Sequence, residues 1–386
     1  DAEVAECFQA VVGGTFAALN LLDTPVDELA GDIKPKDKDG NIFTDRDQVL
    51  KKWTEHCSEL YNFDLQPDLT ILTEPIPSEE DSPPVLKAEV EEAVRRLKPG
   101  KSRGVTESGR SWAQSLVIPL PKKGNLKQCQ NYRTISLISH PSKVMLGVIH
   151  KRLKAKSEEV LAEEQAGFRP GRSTTEQIFN CRLITEKYLQ HQRELFHNFI
   201  DFKKAFDRVW HDGLWQVLRN FKIDEGIVEI VKALYERTSS AVLLNNQIGD
   251  FFPTTIVRQG CFLSPIFFNL FLEQIMLEAL QDHHTSISIN GRAICNLRFA
   301  DDIDLLAGSN QELQELTNKL VERAGAYAME FSTEKSKVMG SFFSKPTPFH
   351  LFTIEFMFFH RHFLMLLCFS RQQVEECSFL RRTRLP

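Results

Sequence analysis

The chain has 386 residues, 42% of them hydrophobic and 26% charged, with a formal net charge of −5. That length and mixture exclude a fibrous or disordered protein and leave room for two or three domains. The small net charge conceals an asymmetry, since residues 1–94 carry 7 Lys and Arg against 22 Asp and Glu while residues 95–172 carry 17 against 5. The second stretch suits a polyphosphate backbone or, in the plainer reading, forms a solvated basic face.

The eight Cys residues form no Cys-x-x-Cys pair, and no His cluster has zinc spacing, so reduced thiols in a cytosolic or nuclear protein are expected. No signal peptide is visible, and a start at Asp1 rather than Met is what a fragment would show. Residues 44–47 resemble a helix-starting box, with Val49, Leu50, Trp53, Cys57, Leu60 and Tyr61 following at helical spacing. Pro-rich sequence at 76–84 separates this helix from a second amphipathic one, with Leu86, Val90, Val94 and Leu97 on one face. Residues 116–120 and 132–139 read as strands around the basic turn Pro121-Lys122-Lys123-Gly124-Asn125, a hairpin with cations at its tip.

A basic helix over 143–156 precedes the loop Ala166-Gly167-Phe168-Arg169-Pro170-Gly171-Arg172. Ser173 and Glu176 then form a capping box for a helix whose face carries Ile178, Cys181, Ile184 and Tyr188. The arginines and the helix start could hold a phosphate, or be an ordinary capped helix with solvated arginines. Residues 195–202 read as a buried strand carrying Asp201, leading into a polar helical segment from about residue 203. Val257-Arg258-Gln259-Gly260 leads into an apolar helix through Phe268, Leu272 and Met276; Gly260 permits close approach of a ligand, and Gln259 offers donors and an acceptor to a base edge. A buried helix with a glycine lead-in would look similar.

Residues 296–300 and 303–307 read as two strands presenting Asp301 and Asp302 at their turn. Carboxylates at the edges of apolar strands are costly to desolvate unless a cation or hydrogen-bond donors neutralise them. Together with Asp201 they point to Mg²⁺ or Mn²⁺ and to in-line phosphoryl displacement across two ions about 4 Å apart. The plainer alternative is a turn and nothing more. Asp304 shares the face of Asp302 and is read as supporting the metal ligands from behind or as structural. The Phe-rich stretch 348–369 is broken by Glu355, His360, Arg361 and His362, which argues against a membrane-spanning helix and so against a membrane partner.

The order of these segments resembles the reverse transcriptase domain of non-LTR (LINE-type) retrotransposons over roughly residues 40–340. The resemblance is carried by Ser115-Leu116-Val117-Ile118-Pro119-Leu120-Pro121-Lys122-Lys123-Gly124, Asn131-Tyr132-Arg133-Thr134-Ile135-Ser136-Leu137, Gln165-Ala166-Gly167-Phe168-Arg169, and residues 199–210, 258–265, 299–306 and 329–337. It implies an α+β right-hand polymerase with fingers over 85–195, shortened near 103–111, and a palm with an antiparallel sheet over 196–340; the acidic linker and helix over 1–84 precede these, and the atypical Phe-rich tail over 341–386 reads like translated non-coding sequence. It implies RNA-directed DNA synthesis, with two Mg²⁺ ions (Mn²⁺ as a substitute) on Asp201, Asp301 and Asp302, and with an RNA template, a DNA primer and deoxynucleoside triphosphates as partners. Phe206 matches the steric gate against a ribose 2′-hydroxyl, Arg133 the triphosphate contact, with Lys122 and Lys123 assisting it or gripping the template, Gln259 and Gly260 the loop lining the nascent base pair, and Lys335 the lysine proposed to protonate pyrophosphate.

The sequence departs from the family in three places. Only residues 103–111 separate Lys98-Pro99-Gly100-Lys101-Ser102 from Trp112, where the family has a fingers helix. A residue is missing before Arg258-Gln259-Gly260, and a one-residue change in a strand flips the facing of its side chains. Residues 341–386, with ten of the 29 Phe residues, show neither a primer-gripping hairpin nor a helical thumb. The rival reading is therefore a catalytically inactive relic that retains at most nucleic-acid binding. A nucleotide cyclase is disfavoured by Arg258-Gln259-Gly260 and the fingers segments.

Overall fold

The computed structural model describes residues 45–62, 65–72, 86–95, 114–121, 125–138, 140–236, 238–245, 247–257 and 261–341. The expectations for residues 1–44, 103–111 and 342–386, and for Lys122, Lys123, Gln259 and Gly260, lie outside these. The elements in chain order are α1 (Arg46–Tyr61), α2 (Lys87–Arg95), β1 (Gln114–Pro121), β2 (Tyr132–Ile138), α3 (His140–Val160), α4 (Thr174–Gln190) and β3 (Leu195–Ile200). They continue with α5 (His211–Asn220), α6 (Glu225–Glu236), β4 (Ser239–Leu244), β5 (Gln247–Ile248), β6 (Phe252–Pro253) and α7 (Ser264–Leu280). Last come β7 (Ser288–Ile289), β8 (Arg292–Ala293), β9 (Asn296–Phe299), β10 (Asp302–Ala307), α8 (Asn310–Ala326) and β11 (Lys337–Ser341). This is the α+β content expected, and no described helix is long and apolar enough to cross a membrane.

The chain divides into two compact units, one holding the described residues up to Ala162 with Lys203–Ala279 and Leu320–Glu330, the other Glu163–Phe202, Leu280–Lys319 and the residues from Phe331 onward. In the first unit α1 begins where Asp45 accepts a hydrogen bond from the Gln48 N–H at 3.1 Å. Its apolar stripe, Val49, Trp53, Cys57 and Tyr61, is buried against Val117, Val242, Leu244 and Phe252. Trp53 meets Tyr132 edge-on at 4.9 Å, and the Tyr61 hydroxyl donates to Thr134 Oγ1 at 3.0 Å. Burial of such side chains is worth roughly 1.5 to 3 kcal/mol each, which anchors α1 to the sheet. That sheet runs β2-β1-β4-β5 with β6 on β4; β1 pairs antiparallel with β2, Ser115 opposite Ile138, and parallel with β4.

Two expectations are corrected in this unit. Of the four residues expected on the apolar face of α2, Leu86 and Val90 are exposed, and the Val94 side chain and Leu97 lie outside the described residues. This short helix is held instead by buried Ala93 and by a two-pronged pair from Arg152 of α3 to Glu89, at 2.9 and 2.8 Å, that keeps the Glu89 carboxyl down at about 2. The helical segment expected from near Lys203 is a 3-10 turn rather than an α-helix. Lys204 takes a left-handed φ of 50°, a single 3-10 turn over Ala205–Arg208 follows, and α5 begins only at His211.

The second unit is built on an antiparallel sheet in the order β11-β3-β10-β9. Every residue of β3 is buried, as a strand flanked on both edges requires. Ser173 Oγ accepts from the Glu176 N–H at 3.2 Å and starts α4, whose expected face of Ile178, Cys181, Ile184 and Tyr188 is buried. Cys181, Ile184 and Tyr188 pack on Leu195, Leu297, Leu306 and Ile287. This small core fixes the strands that carry the carboxylates.

Candidate active site

The acidic residues come together through strand register. Ile303 of β10 lies opposite Ile200 of β3, so continuing the antiparallel ladder by one step sets Asp302 opposite Asp201. Asp302 also pairs with Phe299 across the β9–β10 hairpin, leaving Ala300 and Asp301 as its two-residue turn. Ala300 has a φ of 56°, the left-handed backbone that a turn of this kind demands and that a residue with a Cβ adopts at a cost. Asp301 and Asp302 are partly exposed, as is Asp201, whose side chain keeps 14% of its accessible surface.

The backbone of Asp201 is tied down by the segment before β11. Its N–H donates to Ser336 Oγ at 3.3 Å, its carbonyl accepts from the Ser332 N–H at 2.8 Å, and Phe202 bridges Phe331 with their rings 4.7 Å apart. The same segment places Lys335 Nζ 3.2 Å from Asp201 Oδ1. Burial, then the charges of Asp301 and Asp201, push the Asp302 carboxyl up to about 8 against the pull of Lys335. The three carboxylates supply hard oxygen donors whose mutual repulsion a divalent cation would relieve, although among the described residues only Cys181, His197 and Asp304 bring their ligand atoms within 4.8 Å of one another.

A second cluster lies farther along β10. Cys181 Sγ, one ring nitrogen of His197 and a carboxylate oxygen of Asp304 all lie within 4.8 Å of one another, and all three residues are buried. His197 Nδ1 is 3.0 Å from Asp304 Oδ2, and the Cys181 thiol donates to the same oxygen at 3.7 Å. Burial and the Asp304 charge hold the thiol well above its usual range, so it keeps its proton. Without a metal the trio forms a hydrogen-bonded network around the Asp304 carboxylate.

The remaining expected residues are described within the first unit. Arg133 is exposed on β2 opposite Leu120. Phe206 is half-buried in the 3-10 turn and stacks on Phe268 at 4.5 Å. In the expected phosphate loop of the second unit, Arg169 donates to the Gln165 carbonyl at 3.1 Å and Arg172 to the Glu163 carbonyl at 3.0 Å. Sequence reasoning gave no role to Ser336 or Gln165, both of which bond main chain at the acidic residues. Their only signal was a polar side chain in a segment of otherwise recognisable pattern.

A family model described as Reverse transcriptase (RNA-dependent DNA polymerase) matches residues 120–380, a span that continues past β11 into the Phe-rich tail. The Pol polyprotein of the type-2 retrotransposable element R2DM of Drosophila melanogaster is 26% identical over 226 residues, 58% of this chain and 21% of that protein. A probable RNA-directed DNA polymerase from transposon BS, also of Drosophila melanogaster, is 28% identical over 242 residues, 59% of this chain and 26% of that protein. The chain thus spans about a quarter or less of these relatives' length. Among solved structures, telomerase from Candida albicans in complex with a TWJ fragment of telomeric RNA aligns with a TM-score of 0.52 at 13% identity. That alignment covers 81% of this chain and 49% of the telomerase, and is a likeness of fold.

Proposed function

Since the chain belongs to the reverse transcriptase (RNA-dependent DNA polymerase) family, we propose that it carries the fingers (85–195) and palm (196–340) of a non-LTR retrotransposon polymerase. The reaction would be addition of deoxynucleotides to a DNA primer 3′-hydroxyl on an RNA template, in the nucleus or cytoplasm. The observation that carries this reading is the strand register that brings Asp302 level with Asp201, with Asp301 in the adjoining turn.

Asp201, Asp301 and Asp302 would hold two Mg²⁺ ions, or Mn²⁺ in their place. When bound, such ions supply charge neutralisation for the attacking and leaving oxygens of an in-line displacement. The chain's own residues do the positioning. Strand β3 and the turn after β9 present the carboxylates from a buried frame, which limits reorganisation during the reaction. Lys335, whose Nζ lies 3.2 Å from Asp201 Oδ1, would donate a proton to departing pyrophosphate. Arg133, aided by Lys122, would bind the triphosphate through paired N–H donors. Phe206 would exclude a ribose 2′-hydroxyl, and Gln259 with Gly260 would line the nascent base pair.

The short interval between Ser102 and Trp112 favours a second reading, an inactive relic. Primer extension on an RNA template with Mg²⁺ and deoxynucleotides separates the two, beside an Asp301→Asn, Asp302→Asn control. Extension that the control loses supports the polymerase. No extension from folded protein sinks it and leaves the relic.

A further inference from the structure

The Asp301-Asp302 turn is gripped by a buried glutamine from a different part of the chain. The segment leading to Gly167 runs alongside β9 as a short parallel neighbour: the Arg298 N–H donates to the Glu164 carbonyl, and the Ala166 N–H to the Arg298 carbonyl, each at 2.9 Å. Gln165, fully buried, continues that pairing with its side chain. Its Oε1 accepts from the Ala300 N–H at 2.8 Å, and its Nε2 donates to the Ala300 carbonyl at 3.3 Å. The carboxamide thus closes on both polar groups of the residue just before Asp301. The same Oε1 accepts from the Gly167 N–H at 2.8 Å, which fixes the side chain in place.

Gly167 makes the close approach possible. A Cβ added there would lie 2.1 Å from the Ala300 nitrogen and 2.7 Å from its Cα, contacts that only displacement of the turn could relieve. Ala300 is also the residue in left-handed conformation, so this grip is applied where the hairpin backbone is least favourable. The strands do not need Gln165 to pair, because β10 is already bonded along its length to β3 and β9. What the carboxamide adds is local to the turn.

We propose that Gln165 is a positioning residue for the acidic site: by holding the Ala300 peptide it fixes where Asp301 and Asp302 present their carboxylates to a divalent cation. The inference rests on the reading of Asp201, Asp301 and Asp302 as that cation's ligands. Gln165 touches neither the cation nor the reacting atoms. Asn would fall one methylene short of Ala300. Met fills the same volume but offers neither the acceptor nor the donor.

The test is Mn²⁺ binding to the full chain, followed by the electron paramagnetic resonance of free Mn²⁺, with melting temperature and primer extension measured on the same samples. Gln165→Met is expected to raise the half-saturating Mn²⁺ concentration about tenfold and to lower kcat by on the order of 10- to 100-fold, with KM for primer and template unchanged, as an ångström-scale misplacement of catalytic groups does. Gly167→Ala, which pushes the same peptide rather than releasing it, is expected to move both quantities in the same direction, and carries the test if Gln165→Met does not fold. Gln177→Met is the structural control. Its Nε2 bonds to the Glu164 and Arg298 carbonyls, at 3.0 and 3.3 Å, tie the same segment without reaching Ala300. This variant should lower the melting temperature and leave Mn²⁺ affinity alone.

If Gln165→Met and Gly167→Ala weaken Mn²⁺ binding no more than Gln177→Met does, the positioning role is overturned. If the Asp301→Asn, Asp302→Asn control binds Mn²⁺ as the wild type does, the cation site itself fails, and this inference with it. Loss of Mn²⁺ in that control combined with wild-type binding in Gln165→Met defeats the inference alone.

Discussion

Asp302 and Asp304 sit two residues apart on one strand and face the same side of one sheet, yet their surroundings differ in kind. Asp304, in the body of β10, has a protonated thiol and a ring nitrogen directed at its carboxylate. Asp302, at the tip, lies within the field of two more carboxylates, and burial, then those charges, push its carboxyl up to about 8. A buried carboxylate supplied with donors belongs to the structure, whereas one crowded by its own kind needs a charge from outside the chain. The comparison separates acidic residues that sequence spacing makes look alike.

The comparison breaks most visibly if the two residues are exchanged in their effects. Asp302→Asn should reduce primer extension on the order of 10³-fold, the scale of losing a main electrostatic group in an active site, while leaving the melting temperature unchanged or raised. Asp304→Asn should do the reverse, costing about 1 to 3 kcal/mol of unfolding free energy through its weakened bonds to His197 and Cys181, with extension per folded molecule nearly unchanged. Denaturant titration and single-turnover extension on both variants decide it. A stability loss confined to Asp302→Asn would overturn the assignment.

Lys335 sharpens the comparison by asking what the tip does beyond holding a cation. Lys335→Met should lower the rate on the order of 10²-fold, as loss of a general acid does, and should flatten the fall in rate on the alkaline side of the pH profile. Because Lys335 sits on Asp201 as a competing cation, the variant should bind Mn²⁺ more tightly, with part of that gain offset near neutral pH by the firmer proton on Asp302. A rate loss with an unchanged pH profile would leave Lys335 as a neutralising charge only.

The pH dependence follows from the raised carboxyl of Asp302. The folded state keeps a proton that the unfolded chain releases near its ordinary value of 3.8, so stability from this group falls as pH rises from about 4 and the penalty is complete above about 8. In chelator, the melting temperature of the wild type should therefore decline across that window more steeply than that of Asp302→Asn. Cation binding displaces the same proton, so apparent Mn²⁺ affinity should climb by up to about tenfold per pH unit and level off near pH 8. A flat profile would mean that Asp302 is already ionised, and the contrast with Asp304 would disappear.

Much of this site was legible in the sequence. The unbroken apolar run of β3 and the alternation around the acidic doublet foretold the strands, and a register that lets a buried strand end at Asp201 brings Asp302 beside it. What could not be read was the support. Gln165 and Ser336 act through bonds to main chain far away in the sequence, which leave no periodicity behind. His197 was hidden inside an apolar run, because a buried ring beside a buried acid keeps the strand pattern intact. The apolar face assigned to α2 is not seen at Leu86 and Val90, which show the helical period, while the described contacts of α2 go through Ala93, Glu89 and Glu92. The reading of β10 succeeded because both its faces are constrained, and that of α2 did not because a nine-residue helix can be held by one small side chain and two ion pairs.

The smallest expected effect concerns Ser336, whose hydroxyl accepts from the Asp201 N–H at 3.3 Å and donates to the Ser332 carbonyl at 2.9 Å. Ser336→Ala removes both bonds, but the Ser332 N–H still holds the Asp201 carbonyl at 2.8 Å and β11 still pairs with β3. The backbone of Asp201 should therefore loosen without leaving the sheet. Loss of one or two ordinary hydrogen bonds costs about 1 to 2 kcal/mol. Only the part felt at the carboxylate reaches the chemistry, so extension should slow a few-fold while Mn²⁺ affinity falls by a similar factor. Ser336→Thr keeps the hydroxyl and should restore both. A full loss of activity in Ser336→Ala would mean that the loop before β11, rather than the paired strands, sets the position of Asp201, and the strand-register account of the site would have to yield to one built on that loop.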